Sequence, residues 1–230
     1  MRNRLTSLLW RFINSIYYQG NNVLCQLCGW GGIEFLNNRC PKCNSLPRQR
    51  LIPFCISLVD MKPNKVLHIG PNRSEYHFVK SKLNPEIYDR VDIDNNSYSN
   101  LKHDITKEGL KKNYYDLVLI WHVFEHIEED TKAIYQLSKT LSNNGRLVVS
   151  VPIYPKNNLR TFEVKNTKKE KYFELYGHED HCRSCGLDYW KRFTENGFKL
   201  DITINNGVIS KSQIVNYGLS KNHVAWVFKK

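Results

Sequence analysis

Four cysteines near the start of the sequence have the residue type and spacing of metal ligands. Cys25 and Cys28 are separated by two residues, and Cys40 and Cys43 repeat that spacing after a gap of eleven residues. Each pair fits a tight turn that brings two thiolates to one side of an ion, and two such turns complete a tetrahedral shell of four sulfur atoms. A closed shell leaves no position for water or substrate. The pattern therefore predicts a structural zinc ion in a zinc ribbon over residues 21–50.

A third cysteine pair follows much later in the chain. The total of seven cysteines is odd, which argues against a disulfide framework. Cys182 and Cys185 stand alone, and a second metal site there would have to recruit His178, His181 or Cys55. We predict that Cys182 and Cys185 are ordinary packing residues.

Other polar residues fall in turns that follow predicted strands. Gly70 and Pro71 end the first strand, and Asp92 ends the second, 22 residues beyond Gly70. A carboxylate at the end of the second strand can accept both hydroxyls of a ribose. Asp104 follows a short strand, where it can touch an adenine edge, and His122 follows the most apolar strand. Together these turns predict a site for a nucleoside-containing ligand.

Alternating strands and helices must position these turns. The segment YDLVLIW is almost entirely apolar, as expected of a strand that is covered on both faces. Repeated strand–helix units predict an α/β fold with a mainly parallel, doubly wound sheet. The predicted strands are Val66–Ile69, Ile87–Ile93, Tyr115–Trp121, Arg146–Val151, Phe198–Ile204 and Val224–Phe228. The predicted helices are Leu51–Met61, Tyr76–Leu83, residues 128–142 and Asp188–Asn196.

The first 20 residues predict an amphipathic, basic helix. Apolar residues recur at helical spacing over residues 3–18. We expect this helix to dock on the body of the protein. The alternatives are a partner protein or peripheral contact with a membrane, where Trp10 and the arginines suit the headgroup region.

Composition and charge indicate which kinds of partner and which compartment fit the chain. The chain has 230 residues and a formal net charge of +12, of which residues 1–50, with seven basic residues and one acidic residue, contribute +6. Such a basic region attracts phosphate-bearing partners, although a solubilising surface is the alternative. No apolar run of about 20 residues and no signal-cleavage pattern is found, so we expect a cytoplasmic protein.

The runs VLHIG, VDID, DIT, YDLVLIWHVFEHI, NNGRLVVSVP and DYWKRFTENGF resemble the class I S-adenosylmethionine-dependent methyltransferases. More narrowly, Leu67–Pro71, Thr161–Glu163 and Asp180–Arg183 are similar to segments of a bacterial subgroup, the type 11-like methyltransferases. The resemblance covers residues 65–229. It implies a Rossmann-like, seven-stranded sheet with the last strand antiparallel, S-adenosylmethionine as cofactor, and a methyltransferase domain over residues 51–230.

The resemblance also implies roles for the turn residues. Gly70 and Pro71 would lie beside the methionine moiety, Asp92 would bind the ribose, Asp104 would lie near adenine, and His122 would close the pocket.

The first turn departs from the usual glycine-rich pattern. Asn72 and Ser74 occupy positions that are usually glycine in this class. We expect their side chains to crowd a cofactor bound in the usual pose.

The candidates for catalysis lie near the end of the chain. His181 is the predicted base, and Arg183 is predicted to bind an anionic group of the acceptor. The alternative is that both belong to a structural network with Asp180 and Glu163. The pair Glu125–His126, at a helix start, is predicted to cap the helix or to pack in the core.

Three functions remain open at this stage. The leading hypothesis is a methyltransferase acting on a small molecule or glycan, such as a sugar or a phosphate-linked precursor of envelope polysaccharide. The second is an RNA methyltransferase whose zinc ribbon binds RNA, with Trp30 and Phe35 as platforms for bases. The third is a non-catalytic binding module that kept the fold. The sequence does not predict an oligomeric state.

Overall fold

The computed structural model describes residues 4–94, 96–205, 207–220 and 222–230, with side chains in the first helix from Thr6 onward. The strands are β1 (Gln19–Cys25), β2 (Trp30–Gly32), β3 (Lys65–Ile69), β4 (Ile87–Asp92), β5 (Leu101–Lys102), β6 (Tyr115–Trp121), β7 (Leu141–Ser150), β8 (Lys199–Ile204) and β9 (Ala225–Lys229). The α-helices are α1 (Arg4–Tyr17), α2 (Pro47–Ser57), α3 (Arg73–Phe78), α4 (Asp130–Thr140), α5 (Tyr172–Tyr176), α6 (Lys191–Thr194) and α7 (Lys211–Asn216). A π-helical turn (Val79–Leu83) continues α3, and short 3-10 turns cover Phe124–His126 and Lys169–Lys171.

Seven strands form one sheet in the order β5-β4-β3-β6-β7-β9-β8. Strands β3 to β7 pair in parallel, whereas β9 lies between β7 and β8 and is antiparallel to both. The predicted Rossmann-like, seven-stranded sheet with an antiparallel last strand is therefore confirmed. The strand order reverses between β3 and β6, which is where such sheets bind their ligands.

The composition of β6 explains why the sheet is covered on both faces. Leu117, Leu119 and Trp121 belong to one buried core, and Val118 and Ile120 belong to the other. Alternate side chains of a strand point to opposite faces, so both faces of β6 require apolar cover. The nearly continuous apolar run provides it.

The cysteine-rich segment packs against one of these two cores. Cys25, Trp30 and Cys40 are buried in the same apolar cluster as Leu51 of α2 and Leu117 of β6. The hairpin β1–β2 is therefore not a detached module, because its apolar residues share a core with the sheet.

The helix α1 does not bury its apolar face, contrary to the expectation that it docks on the body of the protein. Its contacts with the body include the Trp30 indole, whose N–H donates to the Ser15 carbonyl at 2.8 Å, and Arg11, which donates to the Lys42 carbonyl. Seven large apolar side chains are exposed: Leu8, Leu9, Trp10, Phe12, Ile13, Ile16 and Tyr17. Within the described residues, no helix combines the length and apolar character needed to cross a membrane.

Several helices differ from the predictions, and a local reason explains two of the changed boundaries and one additional helix. Helix α3 begins at Arg73 because the Asn72 side chain accepts the N–H groups of Ser74 and Glu75. The helix predicted for residues 128–142 ends at Thr140, because Leu141 already pairs with Tyr115 at the start of β7. The unpredicted helix α7 begins at the capping residue Ser210.

Candidate functional site

A cavity of about 420 Å³ opens at the carboxyl ends of β3 and β4 and beside the turn after β5. This volume is within the range of about 300–1,000 Å³ that is common for small-molecule sites. We call it the cofactor cavity. Of the residues predicted to bind cofactor, Gly70, Asp92 and Asp104 line it, whereas Pro71 and His122 do not. Its other lining residues are Ile69, Val91, Ile93, His103, Ile105, Thr106, Lys107, Val123, His126, Ile127, Glu128 and Glu129.

Gly70 is required by the backbone of this turn. Its φ is +62°, in the left-handed region, and its N–H donates to the Val91 carbonyl at 2.8 Å. A Cβ atom at this position would lie 2.8 Å from a methyl group of Val123. Any side chain at position 70 would therefore strain the turn and press against the wall of the cavity.

The two departures from the glycine-rich pattern do not crowd the cofactor cavity. The Asn72 carboxamide oxygen accepts the Ser74 N–H at 3.0 Å and the Glu75 N–H at 3.3 Å. Neither Asn72 nor Ser74 is among the residues that line the cavity. Asn72 caps α3 and the Ser74 hydroxyl donates to the Asn72 carboxamide oxygen at 3.0 Å, so both side chains are engaged within the turn.

The two aspartates of the cofactor cavity are held by local hydrogen bonds. Asp92 accepts the N–H of Asp94 at 3.0 Å and a hydrogen bond from the Asn96 carboxamide. Asp104 accepts the Thr106 N–H at 2.9 Å and the Thr106 hydroxyl at 2.8 Å. The backbone hydrogen bond from Thr106 is the main reason why the pKa of Asp104 lies below its ordinary value. Carboxylates held in place in this way can accept hydrogen bonds from hydroxyl and amino groups.

A second cavity of about 550 Å³ adjoins the cofactor cavity, and we call it the histidine cavity. Five of the eight histidines of the chain line it, although they come from three distant segments. His126 lines both cavities. The complete lining consists of Arg48, His122, Glu125, His126, Pro152, Ile153, Tyr154, Pro155, Lys156, His178, His181, Ser220, Asn222 and His223.

The carboxylate of Glu125 lies in the wall of the histidine cavity and is only 1% exposed. One of its oxygens lies 3.4 Å from Nδ1 of His122 and 3.9 Å from Nε2 of His126. Burial alone would raise the pKa of Glu125. The hydrogen bond and the charge of His122 lower that pKa by more, so it lies below its ordinary value. His122 itself has a φ of +55°, a conformation that is costly for a residue with a side chain and that recurs at functional sites.

His181 is partly buried among aromatic rings of the same cavity. Its ring centroid lies 4.9 Å from that of His126 and 4.5 Å from that of His178. Burial lowers the pKa of His181 to about 4, and burial likewise lowers the pKa of His223 to about 4. Both imidazoles are therefore neutral at pH 7.

Arg183 lies in a different environment from the one predicted for it. It is 1% exposed, and its guanidinium donates to the carbonyl groups of Phe124, Ile127 and Glu128 and to the Glu163 carboxylate. These contacts favour the structural network over acceptor binding. They differ from the predicted network in one partner, because Asp130 rather than Asp180 supplies the second carboxylate, at 3.5 Å.

A third cavity, of about 340 Å³, concentrates positive charge. Four guanidinium groups line it, those of Arg11, Arg39, Arg48 and Arg73, and no acidic residue is among its lining residues. We call it the arginine cavity. Arg48 also lines the histidine cavity, so the two cavities share a cation.

The four predicted zinc ligands converge in the structure. Sγ of Cys25 lies 3.7 Å from Sγ of Cys43, Sγ of Cys28 lies 3.7 Å from Sγ of Cys40, and all four sulfur atoms lie within 4.8 Å of one another. A tetrahedral ion with Zn–S bonds of about 2.3 Å places its ligands about 3.8 Å apart. The spacing of the cluster therefore fits zinc, and no disulfide joins these cysteines.

The other cysteine pair does not belong to a metal cluster within the described residues. The Cys182 thiol donates to the Glu125 carbonyl at 3.2 Å, and Cys185 is buried. Burial raises the pKa of both thiols, as expected of packing residues.

The sequence patterns do not predict most of the histidine cavity. They indicate capping or core roles for Glu125 and His126, and they do not single out Arg48, Lys156 or His223. A local signal was available only in the segment WHVFEHI, where two histidines flank a glutamate at the end of the most buried strand. The other members come together only through the long-range fold.

Comparisons with known proteins agree with this architecture. Residues 64–149 match the family model described as "Methyltransferase domain". No curated protein matches the sequence. A Mesorhizobium loti S-adenosylmethionine-dependent methyltransferase has a similar structure, with a TM-score of 0.56, 8% identity, and coverage of 78% of this chain and 97% of that chain.

Two further solved structures share the fold. The Burkholderia thailandensis 1,6-didemethyltoxoflavin-N1-methyltransferase, solved with 1,6-didemethyltoxoflavin and S-adenosylhomocysteine bound, gives a TM-score of 0.54 at 11% identity, covering 80% of this chain and 76% of its own. A chain in the complex of the Haloferax volcanii Trm112 methyltransferase activator with a methyltransferase gives a TM-score of 0.56 at 10% identity. The match covers 80% of this chain and 89% of that chain.

The family match and the strand order agree. This chain carries a methyltransferase domain over residues 64–149, and its seven-stranded sheet has the fold of solved S-adenosylmethionine-dependent methyltransferases. Its matched domain spans β3 to β7, and thus includes the strand ends that line the cofactor cavity.

Proposed function

We propose that the protein transfers a methyl group from S-adenosylmethionine in the cofactor cavity to a phosphate-bearing small-molecule or glycan acceptor in the histidine cavity. One observation carries this proposal: His126 lines both cavities, so the two adjoin. Methyl transfer requires the donor and the acceptor to meet in line, and adjoining cavities allow that.

The charges around the histidine cavity support an anionic acceptor. Arg48 and Lys156 line it, and Arg48 connects it with the arginine cavity. Guanidinium groups bind phosphate through paired, charge-assisted hydrogen bonds. A sugar phosphate or a nucleotide-linked sugar could place its phosphates near Arg48 and its sugar beside the histidines.

We assign the following roles within the methyltransferase site. Gly70 lets the first turn approach the methionine moiety, Asp92 binds the ribose, and Asp104 lies near the adenine. When bound, S-adenosylmethionine supplies a methyl group on a sulfonium. His181, neutral at pH 7, is the residue that accepts a proton from the acceptor.

We further propose that Cys25, Cys28, Cys40 and Cys43 hold a structural zinc ion. The sulfur spacing supports this assignment. The ion would stabilise the hairpin β1–β2, which has few apolar residues of its own.

RNA is a weaker candidate acceptor because the expected base platforms are occupied. Trp30 is 5% exposed, and the guanidinium of Arg50 lies 3.8 Å from the centroid of the Phe35 ring. The Trp30 ring and one face of the Phe35 ring are therefore not available to stack on a base.

We also propose that α1 lies on an anionic membrane surface. Its seven exposed apolar side chains suit the acyl boundary, and the excess of basic over acidic residues in residues 1–50 suits anionic headgroups. A membrane-bound acceptor precursor would then lie near the catalytic domain.

Calorimetric titration with S-adenosylmethionine tests the cofactor site. We expect Asp92→Ala to weaken binding by about 1–3 kcal/mol, which is about 5- to 150-fold, through lost hydrogen bonds to the ribose. Asp94→Ala is the matched control, because Asp94 is nearby and does not line the cavity. Equal affinities for the two variants would remove Asp92 from its role, and no binding to the wild type would favour a non-catalytic module.

Methyl-labelled S-adenosylmethionine tests the acceptor. We expect label to move to members of a panel of sugar phosphates and nucleotide-linked sugars. Transfer to cellular RNA alone would support the RNA methyltransferase hypothesis and contradict our proposal.

A further inference from the structure

Three side chains in the histidine cavity have the chemistry and proximity of metal ligands. One ligand atom each from Glu125, His126 and His181 lies within 4.8 Å of the other two. Two imidazoles and one carboxylate are a ligand set that binds first-row transition metals and leaves coordination positions open. This cluster is separate from the four-cysteine cluster.

The three ligand atoms lie within 4.8 Å of one another, somewhat farther apart than ligands of a bound ion. Ligands around a tetrahedral ion with bonds of about 2.1 Å lie about 3.4 Å apart. The carboxylate oxygen of Glu125 lies 3.9 Å from Nε2 of His126. The difference is a fraction of an ångström, which a side-chain rotation can supply.

The hydrogen bonds of His126 orient it as a ligand. Its Nδ1 lies 2.9 Å from the Asp180 carbonyl oxygen, which can only accept, so Nδ1 carries the proton. In a neutral imidazole the other nitrogen, Nε2, then has a free lone pair, and it faces Glu125. A backbone carbonyl that fixes the second nitrogen is the usual support for a metal-bound histidine.

One oxygen of the Glu125 carboxylate is a hydrogen-bond acceptor without a donor among the described residues. This oxygen, Oε2, is buried. A fully buried carboxylate with an unpaired oxygen is costly, and a cation would offset that cost. His122, whose Nδ1 lies 3.4 Å from Oε1, would help to hold the carboxylate in place.

We propose that Glu125, His126 and His181 bind a divalent first-row transition-metal ion whose open positions face the histidine cavity. The cavity volume of about 550 Å³ leaves room for water or an acceptor oxygen beside the ion. A role for the ion in binding the acceptor rests on the function proposed above, whereas metal binding itself does not. An imidazole nitrogen that holds a metal cannot also accept a proton, so His181 would act as the base only when the ion is absent. Arg48 and Lys156 would then bind the remaining anionic oxygens of the same acceptor.

Cobalt titration of the full chain with zinc already in its cysteine cluster tests the proposal. Co²⁺ bound to nitrogen and oxygen ligands gives visible d–d bands without the charge-transfer bands of thiolate ligands. We expect one equivalent of such a site in the wild type. Glu125→Gln and, separately, His181→Asn should each weaken it at least tenfold. His77→Ala is the control, because His77 lies outside both cavities and should leave the cobalt spectrum unchanged.

Two results would overturn the inference. One is the absence of any cobalt spectrum other than that of thiolate ligands. The other is unchanged cobalt affinity in both His181→Asn and Glu125→Gln. Because His181 is only partly buried, His181→Asn keeps the test valid even if Glu125→Gln fails to fold. S-adenosylmethionine binding is measured on the same samples: cofactor binding without cobalt binding rejects only the metal site, and cobalt binding without cofactor binding rejects only the methyltransferase proposal.

Discussion

The guanidinium of Arg183 connects segments that are far apart in the sequence. Each of its three nitrogens donates a hydrogen bond, either to a carbonyl in residues 124–128 or to Glu163. Asp130, itself buried, lies beside the same guanidinium and also accepts hydrogen bonds from Tyr189 and Arg192. Removing one charge from such a network leaves its partners buried and unpaired.

Arg183→Met should therefore destabilise the protein by about 3–5 kcal/mol, measured as the free energy of unfolding in urea. The control Lys132→Met breaks an exposed pair with Glu129 and should change that free energy by less than about 0.5 kcal/mol. If Arg183→Met is as stable as the wild type and only the KM for the acceptor rises, Arg183 binds the acceptor and the structural assignment is wrong.

The sequence predicts the residues of the cofactor cavity better than those of the histidine cavity. Gly70 and Asp104 follow strands and Asp92 ends one, and parallel strands end at a common edge, so their convergence follows from the strand pattern. Arg48 and His223 meet in the histidine cavity only because the first and last parts of the chain fold together. No local pattern contains that information.

Among the elements, α1 has an apolar face that the rest of the described structure does not cover. Its predicted amphipathic pattern is confirmed, but its apolar face is exposed. Periodicity establishes that a helix has an apolar face, and it does not establish what covers that face.

Phe12→Glu tests the membrane proposal for this helix. Phe12 is 64% exposed, and losing its apolar surface should weaken binding to phosphatidylglycerol vesicles by about 2 kcal/mol, or about thirtyfold, in a sedimentation assay. Phe173→Glu is the control, because Phe173 is 65% exposed but lies outside α1 and should leave binding unchanged. Equal loss in both variants, or no binding of the wild type to anionic vesicles, would contradict the proposal.

The strands were predicted more accurately than the helices. Strand β6 has the predicted bounds, Tyr115–Trp121, because a fully buried strand is marked by its apolar run. The helix predicted for Asp188–Asn196 is reduced to Lys191–Thr194, and α2 begins at Pro47 rather than Leu51. Short helices depend on caps and on tertiary packing, which hydrophobic periodicity does not record.

At the scale of the whole molecule, the cysteine cluster and the catalytic sheet are parts of one structure. Arg50 donates to Asn38 and Ser45 near the cysteines and to Tyr217 and Gly218 after α7. It thereby joins the first 50 residues to the last 20 or so through four backbone carbonyls. The shared apolar core adds to this connection. The cysteine segment also supplies Arg48 to the histidine cavity, so it contributes to the site as well as to stability.

This continuity predicts that loss of the zinc ligands destabilises the whole protein rather than the first 50 residues alone. Structural zinc binds four-ligand sites in isolated peptides with about 10–16 kcal/mol, and that energy contributes to folding. We expect Cys40→Ser to lose zinc by elemental analysis and to lower the urea midpoint of a single transition by more than about 1 M. Cys182→Ser is the control, since Cys182 lies outside the cluster and a serine hydroxyl can also donate to the Glu125 carbonyl.

Two separate transitions in Cys40→Ser would show that the cysteine segment unfolds independently, and a wild type without zinc would remove the metal assignment. If both S-adenosylmethionine binding and zinc are lost together in Cys40→Ser, the cysteine segment is part of the scaffold that holds the methyltransferase site in place.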